Sequence, residues 1–163
     1  HHRNPGVIGA AAENEKVRAE IICDGHHIHP SVIRAAFRLF GADRICLISD
    51  AMSACGMPEG KYSLGGQDVF VKDGLATLSS GTIAGAASDL WTDMQNAVRF
   101  GIPEEDALRA ATWNPACEIG REKEIGSIET GKRADFVVCD NELRLLAVYI
   151  DGRRADKEEG KTA

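Results

Sequence analysis

Two short apolar runs, separated by an amphipathic stretch, constrain the fold of this chain more than any other feature of its sequence. Residues 19–23 and 44–48 are apolar and bounded by polar residues, a pattern typical of buried strands. Between them, residues 31–40 place apolar side chains on one helical stripe, and Gly41 is a natural C-terminal stop. Strand, helix and strand within about thirty residues indicate a βαβ unit with parallel strands. The sequence therefore predicts an α/β fold.

Each of these strands runs directly into side chains that can carry chemistry. The first is followed by a D-G-H-H-x-H segment, which begins at Asp24 and contains His26, His27 and His29. The second stops at Asp50, and the small residues after it leave room for a ligand. Parallel strands end at the same rim of a sheet, which favours a functional role for both groups. The simpler alternatives are that Asp50 caps the following turn and that the histidines are structural.

The middle of the chain departs from the βα pattern. Residues 61–79 contain short alternating runs joined by tight turns, and Asp73-Gly74 is a hairpin signature, so we predict an antiparallel insertion there. Residues 80–88 form a Gly-rich loop that opens a helix predicted over residues 87–100. Such a loop can bring backbone N–H groups against a ligand, but it also serves close packing.

The remainder predicts further helices and then strands. A helix begins at Pro103, and the sequence Trp113-Asn114-Pro115 is expected to break it before a short helical turn at residues 116–120. The tail is predicted to be β structure. Its expected strands cover residues 125–128, 131–140 and 143–150, ahead of a charged tail at residues 156–163.

Charge and cysteine usage exclude several classes of protein. The chain has 163 residues, a net charge of −6 and a pI near 5.4, which argues against a broad nucleic-acid interface. No apolar run reaches a membrane-spanning length, and we see no signal peptide. The five cysteines are odd in number and lack C-x-x-C spacing, so we expect reduced thiols in a cytoplasmic protein. They are Cys23, Cys46, Cys55, Cys117 and Cys139.

The first residues are unusual for the start of a domain. His1 and His2 precede R-N-P-G, and the chain does not begin with Met. The two histidines are compatible with the remnant of a purification tag. We prefer the interpretation that the sequence begins inside a longer protein.

Several motifs carry a resemblance to one superfamily. N-P-A-x-x-x-G at residues 114–120, G-x-I-x-x-G-K-x-A-D at residues 126–135 and a final strand ending in D-G-R resemble the C-terminal end of the metal-dependent amidohydrolase superfamily. Within it, R-N-P-G, D-G-x-H-x-H-P, S-D-A-x-x-A-x-G, Y-x-L-G-G and G-T-x-A-G resemble the N-acetylglucosamine-6-phosphate deacetylase family. The similarity runs from about Arg3 to Arg153.

This resemblance implies an architecture. The family has a (β/α)8 TIM-type barrel and a small β-sandwich domain, and this chain would form the C-terminal part of both. Residues 1–122 would belong to the barrel, with a β-hairpin insertion near residues 61–79. Residues 123–155 would supply the C-terminal strands of the small β domain, and residues 156–163 would be a charged tail.

The resemblance also implies an activity and a substrate. Members hydrolyse the N-acetyl group of N-acetylglucosamine 6-phosphate, giving glucosamine 6-phosphate and acetate, in amino-sugar catabolism. Asp50 matches the catalytic acid and base. The segment at Asp24, Gly25, His26 and His27 would line the sugar site, with His27 as the matching histidine. Another matching loop would contact the substrate through Ile83, Ala84 and Gly85.

A phosphate contact and a metal are further implications of the resemblance. Arg3 matches a phosphate-binding residue that reaches the neighbouring site in a homodimer. A divalent metal is expected, with zinc first and iron or manganese as alternatives. Its ligands, a Glu and two His, would lie upstream of His1, and no histidine of this chain takes their place by motif. Neither nucleic acid nor a membrane is an expected partner.

Two alternatives remain open at this point. One is another amidohydrolase with a different substrate, such as a dihydroorotase-like enzyme or a hydrolase of another sugar amide. The other is a non-catalytic fragment, because two barrel strands cannot close a barrel. In that case residues 21–23 and 45–48 would lose the neighbours that bury them.

Overall fold

The computed structural model describes residues 3–155. The interpretation of His1 and His2 and the expected charged tail at residues 156–163 lie outside the described residues. Among the helices of the described part, none is both long enough and apolar enough to cross a lipid bilayer.

The predicted βαβ unit is confirmed. Strands β1 (Ala19–Ile22) and β2 (Ile45–Ile48) pair in parallel, with Ala19 opposite Ile45 and Ile22 opposite Ile48. Helix α2 (Pro30–Phe40) connects them. It ends at Gly41, whose φ of 77° lies in the left-handed region that favours glycine at a helix end.

The main core lies between this parallel pair and the helices of the chain. Ile21, Ile33, Ile45 and Leu47 are buried there and are joined by Met94 from a later helix. The prediction of an apolar stripe on α2 holds for Ile33 and Phe37, whereas Val32 of that stripe is 55% exposed. The expectation that the faces of β1 and β2 lack cover is therefore wrong, because helices of this chain cover them.

The first helix is short and fixed at its end. Helix α1 (Gly6–Glu13) begins after Pro5. The guanidinium of Arg44 donates hydrogen bonds to the carbonyl oxygens of Ala11, Ala12 and Asn14 over 2.9–3.4 Å. A cation at the C-terminal end of a helix satisfies carbonyls that have no partner within the helix.

The antiparallel insertion is also confirmed. Strands β3 (Gly60–Leu64), β4 (Gln67–Lys72) and β5 (Leu75–Leu78) form a three-stranded sheet in chain order. Its second turn uses positive φ angles at Asp73 and Gly74, as the Asp-Gly signature predicted. This sheet covers a second small core, which contains Met52, Ala54, Val69, Val71, Ala76 and Ala84.

Three helices follow, and two of their boundaries differ from the prediction. Helix α3 (Leu90–Arg99) begins three residues late, because the Asp89 carboxylate caps it by accepting the Thr92 N–H at 2.7 Å. Helix α4 (Glu104–Ala111) follows Pro103 as expected. The predicted break of this helix is confirmed, because α4 ends at Ala111, but the short helix α5 (Trp113–Glu118) begins at Trp113 rather than at residue 116 and contains Pro115. The proline lies in the first turn, where a helix needs no N–H donor.

The C-terminal region forms a third sheet. Strands β6 (Phe136–Cys139), β7 (Leu145–Ile150) and β8 (Arg153–Arg154) are antiparallel. The strands predicted for residues 125–128 and 131–135 are wrong, because this stretch forms turns. Gly126 and Gly131 have φ angles of 89° and 91°, which an extended strand does not use.

These sheets confirm the predicted α/β class. Residues 3–155 form one parallel pair and two three-stranded antiparallel sheets. Closure into an eight-stranded barrel, and the division at residue 122, stay predictions.

Candidate active site

The two polar segments leave the parallel pair at the same edge. Because β1 and β2 run parallel and in register, the loops after Ile22 and Ile48 both begin at their carboxyl ends. Asp24 and Asp50 each lie two residues beyond the strand. Both loops also line one surface depression, the first through Asp24 and the second through Cys55. Asp24 and Asp50 therefore lie at the same edge of the sheet, although the depression itself is not lined by Asp50 or His27.

Asp24 organises the first loop. Its Oδ1 accepts the backbone N–H groups of His26 and His27 at 2.9 Å each, and its Oδ2 lies 2.7 Å from Nδ1 of His27. Burial alone would raise the pKa of the Asp24 carboxyl. The donors from His27 and His26 outweigh that effect, and the pKa lies below its ordinary value. Asp24 is therefore a carboxylate that fixes the ring of His27.

The His27 ring is oriented by this contact. With Nδ1–H donating to Asp24, the nitrogen left for a ligand is Nε2. The His27 side chain is 21% exposed, whereas the Asp24 side chain is 4% exposed. The pair thus presents an imidazole at the surface on a buried carboxylate, an arrangement that preorganises a binding group.

Gly25 allows the loop to lie against α3. Its φ of 80° is in the left-handed region, and a Cβ atom there would lie 3.0 Å from Cζ of Phe100. Either effect alone would strain a larger residue. The backbone angle and the nearby Phe100 ring together explain why a glycine follows Asp24.

His26 and His29 have separate surroundings. His26 is exposed and lines the depression beside Gly74 at the tip of the β4–β5 turn. His29 is the N-cap of α2, and its Nδ1 accepts the Ser31 N–H at 3.2 Å. The structural alternative for a histidine therefore holds for His29.

Asp50 is held through its backbone by the Gly-rich loop. Its φ is 50°, and its carbonyl accepts the Ala86 N–H at 3.0 Å, while Met52 N–H donates to the Ala86 carbonyl at 2.9 Å. A Cβ atom on Gly85 would lie 3.4 Å from the Asp50 carbonyl oxygen, and Gly85 has a φ of 68°. The side chain of Asp50 is exposed. The loop therefore fixes the position of this carboxylate without enclosing it.

The loop before Gly85 is anchored to the inserted sheet. Ala84 N–H donates to the Ala76 carbonyl at 3.0 Å, and Ile83 forms a bridge with Thr77. Ala84 is buried in the second core, whereas Ile83 is exposed. The structure thus brings Ile83, Ala84 and Gly85 to the Asp50 loop, as one continuous segment.

Arg3 is exposed and lies just ahead of α1. The role of Arg3 in the site of a neighbouring subunit stays a prediction.

Asp93 is a buried acidic residue that the sequence interpretation missed. It lies in α3, is fully buried, and accepts no hydrogen bond of normal geometry at either carboxylate oxygen from residues 3–155. Burial raises its pKa to about 6; the nearby Ser88 hydroxyl acts in the opposite direction, and the charges of Asp24 and Asp89 add to the rise. The signal was present in the sequence, because Asp93 shares the apolar face of α3 with Leu90 and Ala97.

The chain belongs to the amidohydrolase family, whose model matches residues 10–155. The N-acetylglucosamine-6-phosphate deacetylase of Vibrio furnissii is 40% identical over 154 residues, which are 94% of this chain and 38% of that protein. A putative N-acetylgalactosamine-6-phosphate deacetylase of Escherichia coli K12 is 36% identical over 95% of this chain and 93% of that protein.

Solved structures agree with the family. An aspartate-to-alanine variant of N-acetylglucosamine-6-phosphate deacetylase from Mycobacterium smegmatis, in complex with N-acetylglucosamine 6-phosphate, superposes with a TM-score of 0.86. It is 37% identical, and the match covers 94% of this chain and 42% of that one. The enzyme from Pasteurella multocida gives a TM-score of 0.85 at 34% identity, over 91% of this chain and 39% of that one. This chain therefore spans about two fifths of most of these relatives.

The family implies a divalent metal. Within residues 3–155, no group of three or more His, Cys, Asp or Glu side chains is arranged to hold a metal ion. The described side chains therefore do not fit a complete metal site by themselves.

Proposed function

We propose that this chain supplies the part of an amidohydrolase active site that binds and deacetylates N-acetylglucosamine 6-phosphate. The products are acetate and glucosamine 6-phosphate. One observation carries the proposal: the in-register parallel pairing of β1 and β2 brings Asp50 and the Asp24–His27 pair to one edge of the sheet. The relatives from Vibrio furnissii and Mycobacterium smegmatis carry this activity in their names.

Asp50 is our assignment for proton transfer. An acetamide is a poor electrophile and water is a poor nucleophile at neutral pH, so amide hydrolysis needs a base for the water and an acid for the departing amine. An exposed carboxylate on a fixed backbone can perform both duties in turn. The hydrogen bond from Ala86 N–H to the Asp50 carbonyl supports this role, because it fixes the backbone that carries the carboxylate.

His27 is our assignment for binding the sugar. The hydrogen bond from Nδ1 to Asp24 leaves Nε2 for a substrate oxygen. We place Asp24, Gly25 and His26 in the same wall of the site. A second wall is formed by the loop that fixes Asp50, through Ile83, Ala84 and Gly85.

The phosphate contact is a separate part of the proposal. A guanidinium is permanently charged and matches a phosphate with two parallel donors. We therefore assign Arg3 to the 6-phosphate, in the site of the neighbouring subunit of a homodimer. An acidic chain with a net charge of −6 needs a local positive group of this kind to hold an anion.

The metal and the complete architecture are further parts of the proposal. We propose zinc as the divalent metal, with iron or manganese as alternatives, held mainly by residues outside this chain. Residues 3–122 would belong to a (β/α)8 barrel and residues 123–155 to a small β-sandwich domain. The free thiols of all five cysteines support a cytoplasmic location.

A second substrate is the 4-epimer, N-acetylgalactosamine 6-phosphate. The observation that favours it is the 36% identity to two Escherichia coli relatives named for this substrate. The match covers 93% of the length of one of them. Both sugars share the acetamide and the phosphate, so only a hydroxyl contact distinguishes them.

The test measures acetate release by the complete gene product. Turnover of the two phosphorylated sugars is compared directly, and we expect N-acetylglucosamine 6-phosphate to give the higher kcat/KM. Asp50→Asn should lower kcat by about a thousandfold while substrate binding survives. The matched control is Asp43→Asn, which removes an exposed carboxylate from the other end of β2. An Asp50→Asn enzyme that keeps a tenth of wild-type turnover would remove Asp50 from the chemistry.

A further inference from the structure

Helix α1 lies on the surface of the described part of the chain, with little packing to hold it. None of its eight residues is buried there, and Val7 and Ile8 are 85% and 68% exposed. Most of the stability of a short helix in a protein comes from packing an apolar face against a core. The position of α1 therefore depends on polar contacts, and Arg44 supplies hydrogen bonds of this kind.

The Arg44 guanidinium joins the C-terminal end of α1 to the C-terminal end of α2. Its terminal nitrogens donate to the carbonyl oxygens of Ala11, Asn14 and Ala12 at 3.4, 2.9 and 3.1 Å. Its Nε donates to the Phe40 carbonyl at 2.8 Å, and its Cζ lies 5.3 Å from the centre of the Phe40 ring. A planar guanidinium has five donors in a fixed fork, so one side chain satisfies all four carbonyls.

The backbone that carries Arg44 is itself fixed. Asn114 of α5 donates to the carbonyl oxygens of Ala42 and Ile45, both at 2.7 Å, and so holds the chain on both sides of Arg44. Arg44 directly precedes Ile45, the first residue of β2. The strand that leads to Asp50 therefore also provides the support from which Arg44 holds α1.

The other end of α1 is closely attached to Arg3. Pro5 precedes the helix with a φ of −67°, an angle that its ring restricts. Gly9 N–H donates to the Pro5 carbonyl at 3.4 Å, and a Cβ atom on Gly9 would collide with the Pro5 side chain. Arg3 lies two residues ahead of Pro5. A displacement of α1 therefore carries Arg3 with it.

The length of α1 converts a small rotation into a displacement that matters for binding. A helix of eight residues is about 12 Å long. A rotation of about 10° around the end that Arg44 holds would move the other end by about 2 Å. Hydrogen bonds from a guanidinium to a phosphate need donor–acceptor distances of about 2.7–2.9 Å, so a displacement of this size breaks them.

We propose that Arg44 is a positioning residue, which holds Arg3 at the 6-phosphate of the substrate through α1. This inference rests on the proposed phosphate contact of Arg3, and it adds the side chain that keeps this contact in place. Arg44 precedes β2, whereas Asp50 follows the other end of the same strand. Arg44 should therefore affect phosphate recognition without affecting the hydrolytic step.

The test compares Arg44→Lys with Arg38→Lys in the complete gene product. Arg44→Lys keeps a positive charge at the end of α1 but replaces the fork with a single ammonium. We expect KM for N-acetylglucosamine 6-phosphate to rise about threefold or more, while kcat and the KM for unphosphorylated N-acetylglucosamine stay unchanged. Arg38→Lys, at an exposed position of α2, should change neither KM. A merely structural role of Arg44 would leave the ratio of the two KM values as in wild type, and this result would overturn the proposal.

A double variant separates this inference from the function on which it rests. In the Arg3→Ala background, Arg44→Lys should add no further rise in KM for the phosphorylated sugar, because both changes act on one contact. A further rise of the same size would overturn the proposal. If Arg3→Ala affects both sugars equally, the phosphate assignment fails and this inference fails with it. If Arg3→Ala distinguishes the sugars and Arg44→Lys does not, only the role of Arg44 fails.

Hydrogen exchange gives a readout that is independent of the activity assay. The backbone amides of α1 should exchange faster in Arg44→Lys than in Arg38→Lys, and equal exchange would contradict the proposal.

Gly9→Ala leaves Arg44 intact and so remains decisive if Arg44→Lys fails to fold. The added methyl group displaces Pro5, and with it Arg3, from the first turn of α1. We expect KM to rise for the phosphorylated sugar alone. An unchanged KM for that sugar would show that α1 does not set the position of Arg3.

Discussion

Two aspartates near the same loop show how surroundings set the behaviour of one residue type. Asp24 is buried but receives two backbone N–H groups and the His27 ring, and its pKa lies below the ordinary value. Asp93 is also buried, but neither of its carboxylate oxygens accepts a hydrogen bond of normal geometry from residues 3–155. Its pKa rises to about 6. Burial acts in the same direction on both, so the donors decide the difference.

Stability should depend on pH through Asp93. Its carboxyl has a folded pKa of about 6 against an ordinary value of 3.8, so the unfolded chain loses this proton first as pH rises. The contribution of Asp93 to stability is full below about pH 4 and is lost by the time the pH exceeds its folded pKa of about 6. Between these limits the free energy of unfolding should fall by about 3 kcal/mol through this one group.

Asp93→Asn tests this dependence, because an amide does not titrate. The free energy of unfolding of the variant, relative to wild type in the complete gene product, should rise by up to about 3 kcal/mol between about pH 4 and about pH 8. Urea unfolding at both pH values gives the measurement. Asp68→Asn serves as the control and should show no such rise. A constant difference between Asp93→Asn and wild type would contradict the assigned pKa.

Arg3 gives a prediction about substrate recognition. Arg3→Ala should raise KM for the 6-phosphorylated sugar by about tenfold or more, since a charge-assisted hydrogen bond is lost. KM for unphosphorylated N-acetylglucosamine should stay the same, because that sugar lacks the group that Arg3 would bind. The matched control is Arg38→Ala, which removes an exposed guanidinium from α2 and should leave both KM values unchanged. Equal effects of Arg3→Ala on both sugars would show that Arg3 does not recognise phosphate.

At the scale of elements, one buried amide joins α5 to β2. The Nδ2 group of Asn114 donates to the carbonyl oxygens of Ala42 and Ile45, both at 2.7 Å, and the residue is 2% exposed. The contact fixes the start of the strand that leads to Asp50. The N-P-A motif of the sequence is thereby explained as a structural link rather than as a catalytic group.

Replacing this amide should destabilise the chain. Asn114→Ala leaves two carbonyl oxygens without their donor, and we expect the free energy of unfolding to fall by about 3 kcal/mol. The measurement is denaturant unfolding of the complete gene product. Asn141→Ala, in an exposed turn, is the matched control and should change stability by less than about 0.5 kcal/mol. If the two variants were equally stable, Asn114 would not hold β2 in place.

The elements also show what the sequence could predict. Apolar periodicity predicted β1, α2 and β2, and Asp-Gly predicted the inserted hairpin, because these signals are local. Helix α3 begins at Leu90 rather than at residue 87, because the Asp89 side chain caps the helix there. The alanines before Asp89 favour helix formation, and this misled the prediction. The turns at residues 125–135 depend on glycines with positive φ angles. The burial of Asp93 follows from its place on the apolar face of α3, so the helical periodicity of the sequence could have predicted it.

At the scale of the whole molecule, many large apolar side chains remain exposed, including those of α1 and of the C-terminal sheet. Val7 and Ile8 of α1 are exposed, and the β6–β8 sheet exposes Val137, Val138, Leu145, Leu146 and Ile150. Exposed apolar side chains in such number are typical of a surface that other parts of a protein cover, or of an aggregation risk. At about 25 cal/mol per Å², leaving a few hundred Å² exposed forgoes several kcal/mol, which is comparable to the stability of a typical domain.

We therefore predict that residues 1–163 alone are poorly soluble or lack fixed tertiary packing, bind no divalent metal tightly and release no acetate. The complete gene product should be folded, loaded with metal and active. Near-ultraviolet circular dichroism, metal stoichiometry and acetate release are measured on both. An active, metal-loaded chain of 163 residues would contradict this prediction and direct attention to metal ligands among four residues: His26, His27, His29 and Asp50.

The most direct test of the proposed site is where the substrate binds. A crystal structure of the complete Asp50→Asn gene product with N-acetylglucosamine 6-phosphate would hold the substrate uncleaved. We predict a sugar oxygen within hydrogen-bond distance of His27 Nε2, and the acetamide carbonyl beside the side chain at position 50. A sugar bound away from both the Asp24–His27 loop and the loop after β2 would contradict the proposed site.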